Sequence, residues 1–370
     1  MKPYTPSPRP TLGIEEEFCL VDPTELKCAQ RAHEVIDAAE EEFKPRLTCD
    51  LHLSILELRT PVEPDVGALL GAVREGRKHV AEICEKQGLR ILAVGAHPFS
   101  DWRDQRFVPT DHYHWVAEQN LYIARRMMAQ GLHVHVGCDD GEAALYVMDQ
   151  TRRWVGALLA LSANSPFFEG LNTGFASIRT ALFGAMPRTG FPPPIQNWQH
   201  LENHVETLIA SGFITRPGDC WWNIRVQPPL GTVEYRMFDL PTRAENAAIF
   251  AAIVQALTVT YQERFHRGRP RDKYREDFLE QNRWMAMRHG LEGRMIDVAD
   301  GTPLPTASLI ERMLDFAGAA ASRLGTTPWI ERASQLLAQG NGAAEQLNLY
   351  EKLNGNLKEL VRCLVRTTVL

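Results

Sequence analysis

Four segments of this chain alternate apolar with ionisable side chains at a period of two, the period of a β-strand. They are Gly13-Ile14-Glu15-Glu16-Glu17-Phe18, the stretch Asp50 to Arg59, Gly131-Leu132-His133-Val134-His135-Val136-Gly137, and the stretch Trp221 to Arg236. In the first, Glu15 and Glu17 share a face that continues through the apolar Cys19 and Val21. One such run would read as a solvated strand end, but the pattern recurs. Asp50, His52 and Ser54 have one parity, and Glu57 and Arg59 the other. No straight strand aims Asp50 and Glu57 at one point; a turn or bulge between them does. His133 and His135 face one way and the valines the other. Glu234 and Arg236 project together, with Val233 and Tyr235 on the core side.

If these strands are neighbours in one sheet, their polar faces gather Glu15, Glu17, Asp50, Glu57 and Glu234 with the two histidines. Two carboxylates about 4 Å apart repel by roughly 4 kcal/mol at an effective dielectric near 20. Several such pairs rival the roughly 5–15 kcal/mol that holds a domain folded. Divalent cations relieve the repulsion, and a carboxylate-rich set favours Mg2+, or Mn2+, over zinc. Arg179, Arg225 and Arg236 suit a phosphate or carboxylate beside such cations. There is no Walker-type glycine loop, so a nucleotide must be held through metals and arginines. Two other classes compete: a zinc hydrolase built on the His-x-His strand, and a catalytically silent nucleotide-binding regulatory protein.

The remaining sequence reads as short strands among helices. Helices are expected over 31–43, from the N-cap Asp65 to Gly88, and over 112–129, 142–164 and 197–211. A short buried strand is expected at 89–94. Residues 165–196, with four glycines and Pro192-Pro193-Pro194, read as a long irregular loop of functional length. Beyond Arg243 the pattern is almost entirely helical, broken by a basic link at 267–273 and a Gly/Pro turn at 301–305. Hairpin-like proximity of 46–51 to 54–60, and of 221–226 to 232–239, predicts an α+β protein: a mostly antiparallel sheet flanked by helices, with a helical C-terminal part. One catalytic domain is expected over 12–370, sheet-forming to about 240 and helical over about 243–370. Residues 1–11, with four prolines, read as a flexible tail.

A net charge of −6 offers no basic footprint for nucleic acid. The seven cysteines are odd in number and include no C-x-x-C pair. Reduced thiols and a cytoplasmic location are the simplest reading. No stretch reads as long and apolar enough to span a bilayer, so a membrane location is not expected.

Taken in order, Leu12-Gly13-Ile14-Glu15-Glu16-Glu17, Asp50 to Thr60, His133-Val134-His135-Val136-Gly137, Leu161-Ser162-Ala163-Asn164-Ser165-Pro166 and Gly231-Thr232-Val233-Glu234-Tyr235-Arg236 resemble the YbdK-like carboxylate-amine ligases, the glutamate–cysteine ligase type 2 family. The likeness covers the chain to about residue 240, and Arg288-His289-Gly290-Leu291-Glu292-Gly293 extends it into the helical part. It implies a curved, glutamine-synthetase-like catalytic sheet, ATP as co-substrate and two or three magnesium ions. Metal ligation then falls to Glu15, Glu17, Asp50, Glu57 and Glu234, with Gln227 as a further position. The nucleotide side falls to His133, His135, Arg179, Arg225 and Arg236, and the catalytic roles to His133, Arg179 and Arg236. A glutamate-like carboxylate would take the γ-phosphate of ATP, and a cysteine-like amine would displace phosphate from the acyl phosphate. A homodimer is also implied.

Overall fold

β1 (Leu12–Val21) begins with three glutamates and ends in an apolar run, and the two halves have different neighbours in the computed structural model, which describes residues 2–370. One edge of β1 pairs with β3 (Ile55–Arg59), which pairs in turn with β2 (Leu47–Cys49). Along the other edge, residues 12–16 pair with β5 (Gly131–Gly137) and residues 19–21 with β4 (Arg90–Leu92). After a separate hairpin of β6 (Phe167–Phe168) and β7 (Leu171–Asn172), β8 (Ile224–Gln227) and β9 (Thr232–Asp239) complete the sheet. The seven-stranded curved sheet runs β2-β3-β1-β5-β9-β8, with β4 beside β1, and every pairing in it is antiparallel. The α+β expectation and both expected hairpins hold.

The two faces differ because β1 alternates. Leu12, Ile14, Phe18 and Leu20 enter the main core with Leu132, Val134, Val136, Val233 and Tyr235. That face is covered by the helices Val66–Lys86, Gly141–Thr151, Val155–Ser162 and Ala244–His266. The first of these starts as expected, with the Asp65 carboxylate accepting from Ala68 N–H, and Gly88 follows its end at φ +68°. On the opposite face, Cys19 and Val21 are covered by Leu360, Val361 and Leu364 of the C-terminal helix Leu357–Thr368. Only the glutamate half of that face is left for a site.

Several expectations need correction. The helix expected over 112–129 is two, Asp111–Asn120 and Tyr122–Arg125, broken where Leu121 turns to φ +46°. The loop at 165–196 contains the β6–β7 hairpin and the helix Ile178–Phe183, too short to leave a periodic signal. The Gly/Pro turn near 301–305 belongs to a hairpin of β10 (Arg294–Asp297) and β11 (Thr302–Pro305). The N-terminal segment expected as a loose tail is packed along the end of the sheet. There Thr5 N–H donates to Pro228 O, Ser7 N–H to Cys138 O, and the Tyr4 hydroxyl to Cys138 O. Finally, the helix Ala244–His266 is long and apolar enough, by length and composition, to cross a membrane. Its most apolar window is 78% buried inside the protein, so core packing accounts for its composition.

Candidate active site

Register brings the separated acids together. Across β1 and β3, Glu17 stands opposite Glu57; across β1 and β5, Glu15 stands opposite His133; across β5 and β9, His135 stands opposite Glu234; across β8 and β9, Arg225 stands opposite Glu234. Asp50 joins them because the chain turns between β2 and β3, the turn that the parity of Asp50 and Glu57 required. The cavity over this face has a volume of about 520 Å³. Glu15, Glu17, Asp50, Glu57, His133, Arg179, Arg225 and Arg236 all line it. Its other wall is apolar, with Leu51, Val116, Met127, Phe183, Met186 and Trp221.

Glu15 is the hub. Its Oε2 lies 2.9 Å from His133 Nδ1 and its Oε1 3.5 Å from His135 Nε2. Two groups of potential ligand atoms share it: Glu15, Glu57 and His133, and Glu15, His135 and Glu234, each within 4.8 Å of one another. Glu17 and Asp50 line the cavity outside these groups. Glu17 Oε2 accepts from Gly131 N–H at 2.5 Å, and Asp50 Oδ1 accepts from the Tyr113 hydroxyl at 3.2 Å. Gln227 does not reach the cavity lining: its amide nitrogen donates to Glu234 Oε2 at 2.6 Å, and it holds that carboxylate in place. Glu16, between the two cavity acids, points into the helix layer and pairs with the buried Arg77.

The three arginines differ in what they have left to give. Arg225 spends Nε and Nη2 on Glu234 at 2.5 and 3.2 Å, and Nη1 on the carbonyls of Gly218 and Cys220. Its remaining capacity is small. Arg236 pairs with Glu234 through Nη1, leaving its buried Nε without a partner. Arg179 donates Nη2 to Arg236 O, and its buried Nε also has no partner. Two buried guanidiniums with open donors beside a cavity are suited to an anion.

Crowding sets the protonation. Burial and then Asp50 push Glu17 up to about 8. Burial, followed by Glu15, Glu17 and Asp50, raises Glu57 well above the carboxylate range. Burial works against Glu15 as well, but His133 and His135 beside it hold it well below that range. Burial likewise opposes ionisation of Glu234, yet Arg225 and Arg236 overcome it and hold it low. For His133, burial and Arg236 bring the imidazole down to about 4. Burial and neighbouring carboxylates thus both disfavour charge on Glu17 and Glu57, and a nearby cation would favour it. His135 Nε2 is buried and makes no hydrogen bond, an unsatisfied donor atom directed at the same place. An oxygen-rich set, with the His133 imidazole held neutral and that of His135 raised against burial by Glu15 and Glu234, fits a hard divalent cation that would take the place of the His135 proton.

Sequence reasoning passed over several contributors. Tyr113, His112, Arg59 and Arg216 line the cavity, and none stood out from its neighbours in the chain. Asp239 was missed for a different reason. β9 has one extra residue opposite Leu132–Val134 of β5, a bulge that turns Asp239 onto the face of Glu234. Asp239 then stands opposite Gly131, beside Arg179.

The family model "Glutamate-cysteine ligase family 2 (GCS2)" matches residues 11–363. A protein of Solibacter usitatus provisionally named glutamate–cysteine ligase 2 is 34% identical over 365 residues, covering 98% of this chain and 94% of the relative. A protein of Rubrobacter xylanophilus, provisionally named glutamate–cysteine ligase 2-3, is 35% identical over 363 residues, covering 98% of each. Among solved structures, the glutamate–cysteine ligase of Francisella tularensis in complex with AMP superposes with a TM-score of 0.74 at 12% identity, over 99% of this chain and 90% of that one. At that identity the likeness speaks for the fold.

Proposed function

The chain belongs to glutamate–cysteine ligase family 2 and is an ATP-dependent carbon–nitrogen ligase; from that premise we propose that its acidic sheet face activates a carboxylate with the γ-phosphate of ATP and passes the acyl group to an amine. The observation that carries this reading is that Glu15, Glu57 and His133 line one cavity with Arg179 and Arg236, while Glu15 also belongs to a second group with His135 and Glu234, which do not line it. In the first step a carboxylate oxygen attacks the γ-phosphorus and ADP leaves. In the second the amine nitrogen attacks the acyl carbon and inorganic phosphate leaves.

Glu15, Glu57 and His133 would hold one divalent cation, and Glu15, His135 and Glu234 a second. Bound there, Mg2+ or Mn2+ supplies charge against the triphosphate oxygens. Arg179 and Arg236, whose side chains line the cavity, would grip the transferring phosphoryl group. Glu234 locks Arg236 and Arg225 in place, and Gln227 locks Glu234. Leu51, Val116, Met127, Phe183, Met186 and Trp221 keep bulk water from the acyl phosphate. Glu17 and Asp50, outside both cation groups, line the same cavity.

The names of the relatives make glutamate and cysteine the first pair to test. A homodimer and a cytoplasmic location belong to the same reading, and seven unpaired thiols support the latter. Phosphate release should be screened over amino acids and amines with ATP and Mg2+, and the amide followed by mass spectrometry. Stoichiometric phosphate and amide support the ligase. Nucleotide binding without phosphate release under any pair would favour a silent binding protein. Zinc-dependent hydrolysis without ATP would favour the His-x-His hydrolase.

A further inference from the structure

Arg179 reaches the cavity from a helix of six residues, Ile178–Phe183, inside a segment with little other regular structure. A helix that short is not stable by itself and must be set by its surroundings. Its start is held from β9. Asp239, fully buried, accepts from Ser177 Oγ at 2.7 Å through Oδ1, and from Ser165 Oγ at 2.6 Å and Asn164 N–H at 2.8 Å through Oδ2. A carboxylate only accepts, so it takes the single proton of each hydroxyl. The hydroxyl lone pairs are then left for the first turn of the helix: Arg179 N–H donates to Ser165 Oγ at 3.2 Å, and Thr180 N–H to Ser177 Oγ at 3.2 Å.

The packing around this link leaves no slack. A Cβ on Gly131, opposite Asp239, would lie 2.2 Å from Arg179 Nη2. One on Gly95 would lie 2.6 Å from the Asp239 carboxyl carbon. Both glycines let the acid and the guanidinium occupy their places.

We propose that Asp239 is the positioning residue for Arg179: through the hydroxyls of Ser165 and Ser177 it sets the start of the short helix, and so the place of the guanidinium in the cavity. The inference rests on the reading of Arg179 as a phosphoryl-gripping cation. In Asp239→Asn the shape is kept, but one carboxylate oxygen becomes an amide nitrogen. At least one present donor then loses its acceptor, and a serine that turns to accept from that amide must send its own O–H elsewhere, which breaks its link to Asp239 and disturbs the start of the helix.

The test is a double-mutant cycle on the full chain, using kcat/KM for ATP with the substrate pair found in the phosphate screen. Asp239→Asn alone should lower kcat/KM by about 10- to 100-fold, the scale of an ångström-level misplacement. Placed on Arg179→Lys, the same change should cost less than about threefold, because the group it positions is already replaced. Ser165→Ala and Ser177→Ala each remove one link, should act in the same direction with the same non-additivity, and decide the matter if Asp239→Asn does not fold. A full-sized loss on the Arg179→Lys background overturns the proposal alone. If Arg179→Lys by itself has wild-type kcat/KM, the reading of the cavity falls, and this proposal with it.

Discussion

Glu15, Glu16 and Glu17 are consecutive, yet each meets different chemistry. Glu15 is partly exposed and shared by both groups of potential cation ligands, so little of the fold depends on it. Glu15→Gln should lower ATP turnover by about 10²–10³-fold, the scale for removing one preorganised electrostatic group, with the thermal midpoint almost unchanged; phosphate release and a melting curve check both. Glu234 is another matter. It is fully buried and is the counter-charge of Arg225 and Arg236. Glu234→Gln should therefore lose turnover and also about 3–5 kcal/mol of stability, as expected when one partner of a buried ion pair is removed; chemical denaturation reads the second loss. Away from the site, His97 is buried, and its Nδ1 accepts from the N–H groups of Phe99 and Ser100. Its Nε2 must then donate to Leu26 O, and the ring has no room for a second proton. Burial brings it down to about 4 from 6.5. A lowered folded-state value means stability that is present above pH 6.5 and lost as pH falls towards 4, by about 3 kcal/mol at most. His97→Gln should reduce the slope of the stability–pH profile over that range, to which His52 and His133, also brought down to about 4, contribute as well.

Among the elements, β1 is the one whose two faces matter most. Its inward side depends on Glu16, held by Arg77 from the helix Val66–Lys86; Arg77 also donates to the carbonyls of Pro241, Thr242 and Thr368. One guanidinium thus ties together the sheet, a covering helix, the chain after β9 and the end of the C-terminal helix. Arg77→Met should cost about 3–5 kcal/mol by leaving Glu16 and three carbonyls unpaired, while KM for ATP in the folded fraction stays at the wild-type value; denaturation and steady-state kinetics separate the two. This pairing could not be read from Glu15-Glu16-Glu17, because Arg77 lies 61 positions away. Similarly, Arg179 stood out as a phosphate-suited arginine, but the helix that carries it is too short for periodicity to reveal. Long helices, by contrast, were legible through their apolar spacing and caps, as at Asp65.

On the scale of the whole molecule, the cavity draws side chains from β1, β2, β3, β5, β8 and β9, the β2–β3 turn and two helices. A ligand that bridges them must stabilise the folded state as a unit. MgATP at about 100 times its dissociation constant should add about 2.7 kcal/mol to unfolding, and Glu15→Gln should lose most of that gain; calorimetry with and without nucleotide checks it. The sequence by itself determined which side chains share a face within an unbulged run of strand, where the long helices begin, and the family, because those follow from backbone periodicity and local motifs. Only the tertiary structure decided that Glu16 turns away to Arg77, that Gln227 serves Glu234, that the N-terminal segment packs on the sheet, and that a bulge in β9 turns Asp239 towards Arg179. Those choices depend on pairing register and close packing between residues distant along the chain, and the free energy that settles them belongs to the assembled sheet and helices rather than to any one segment.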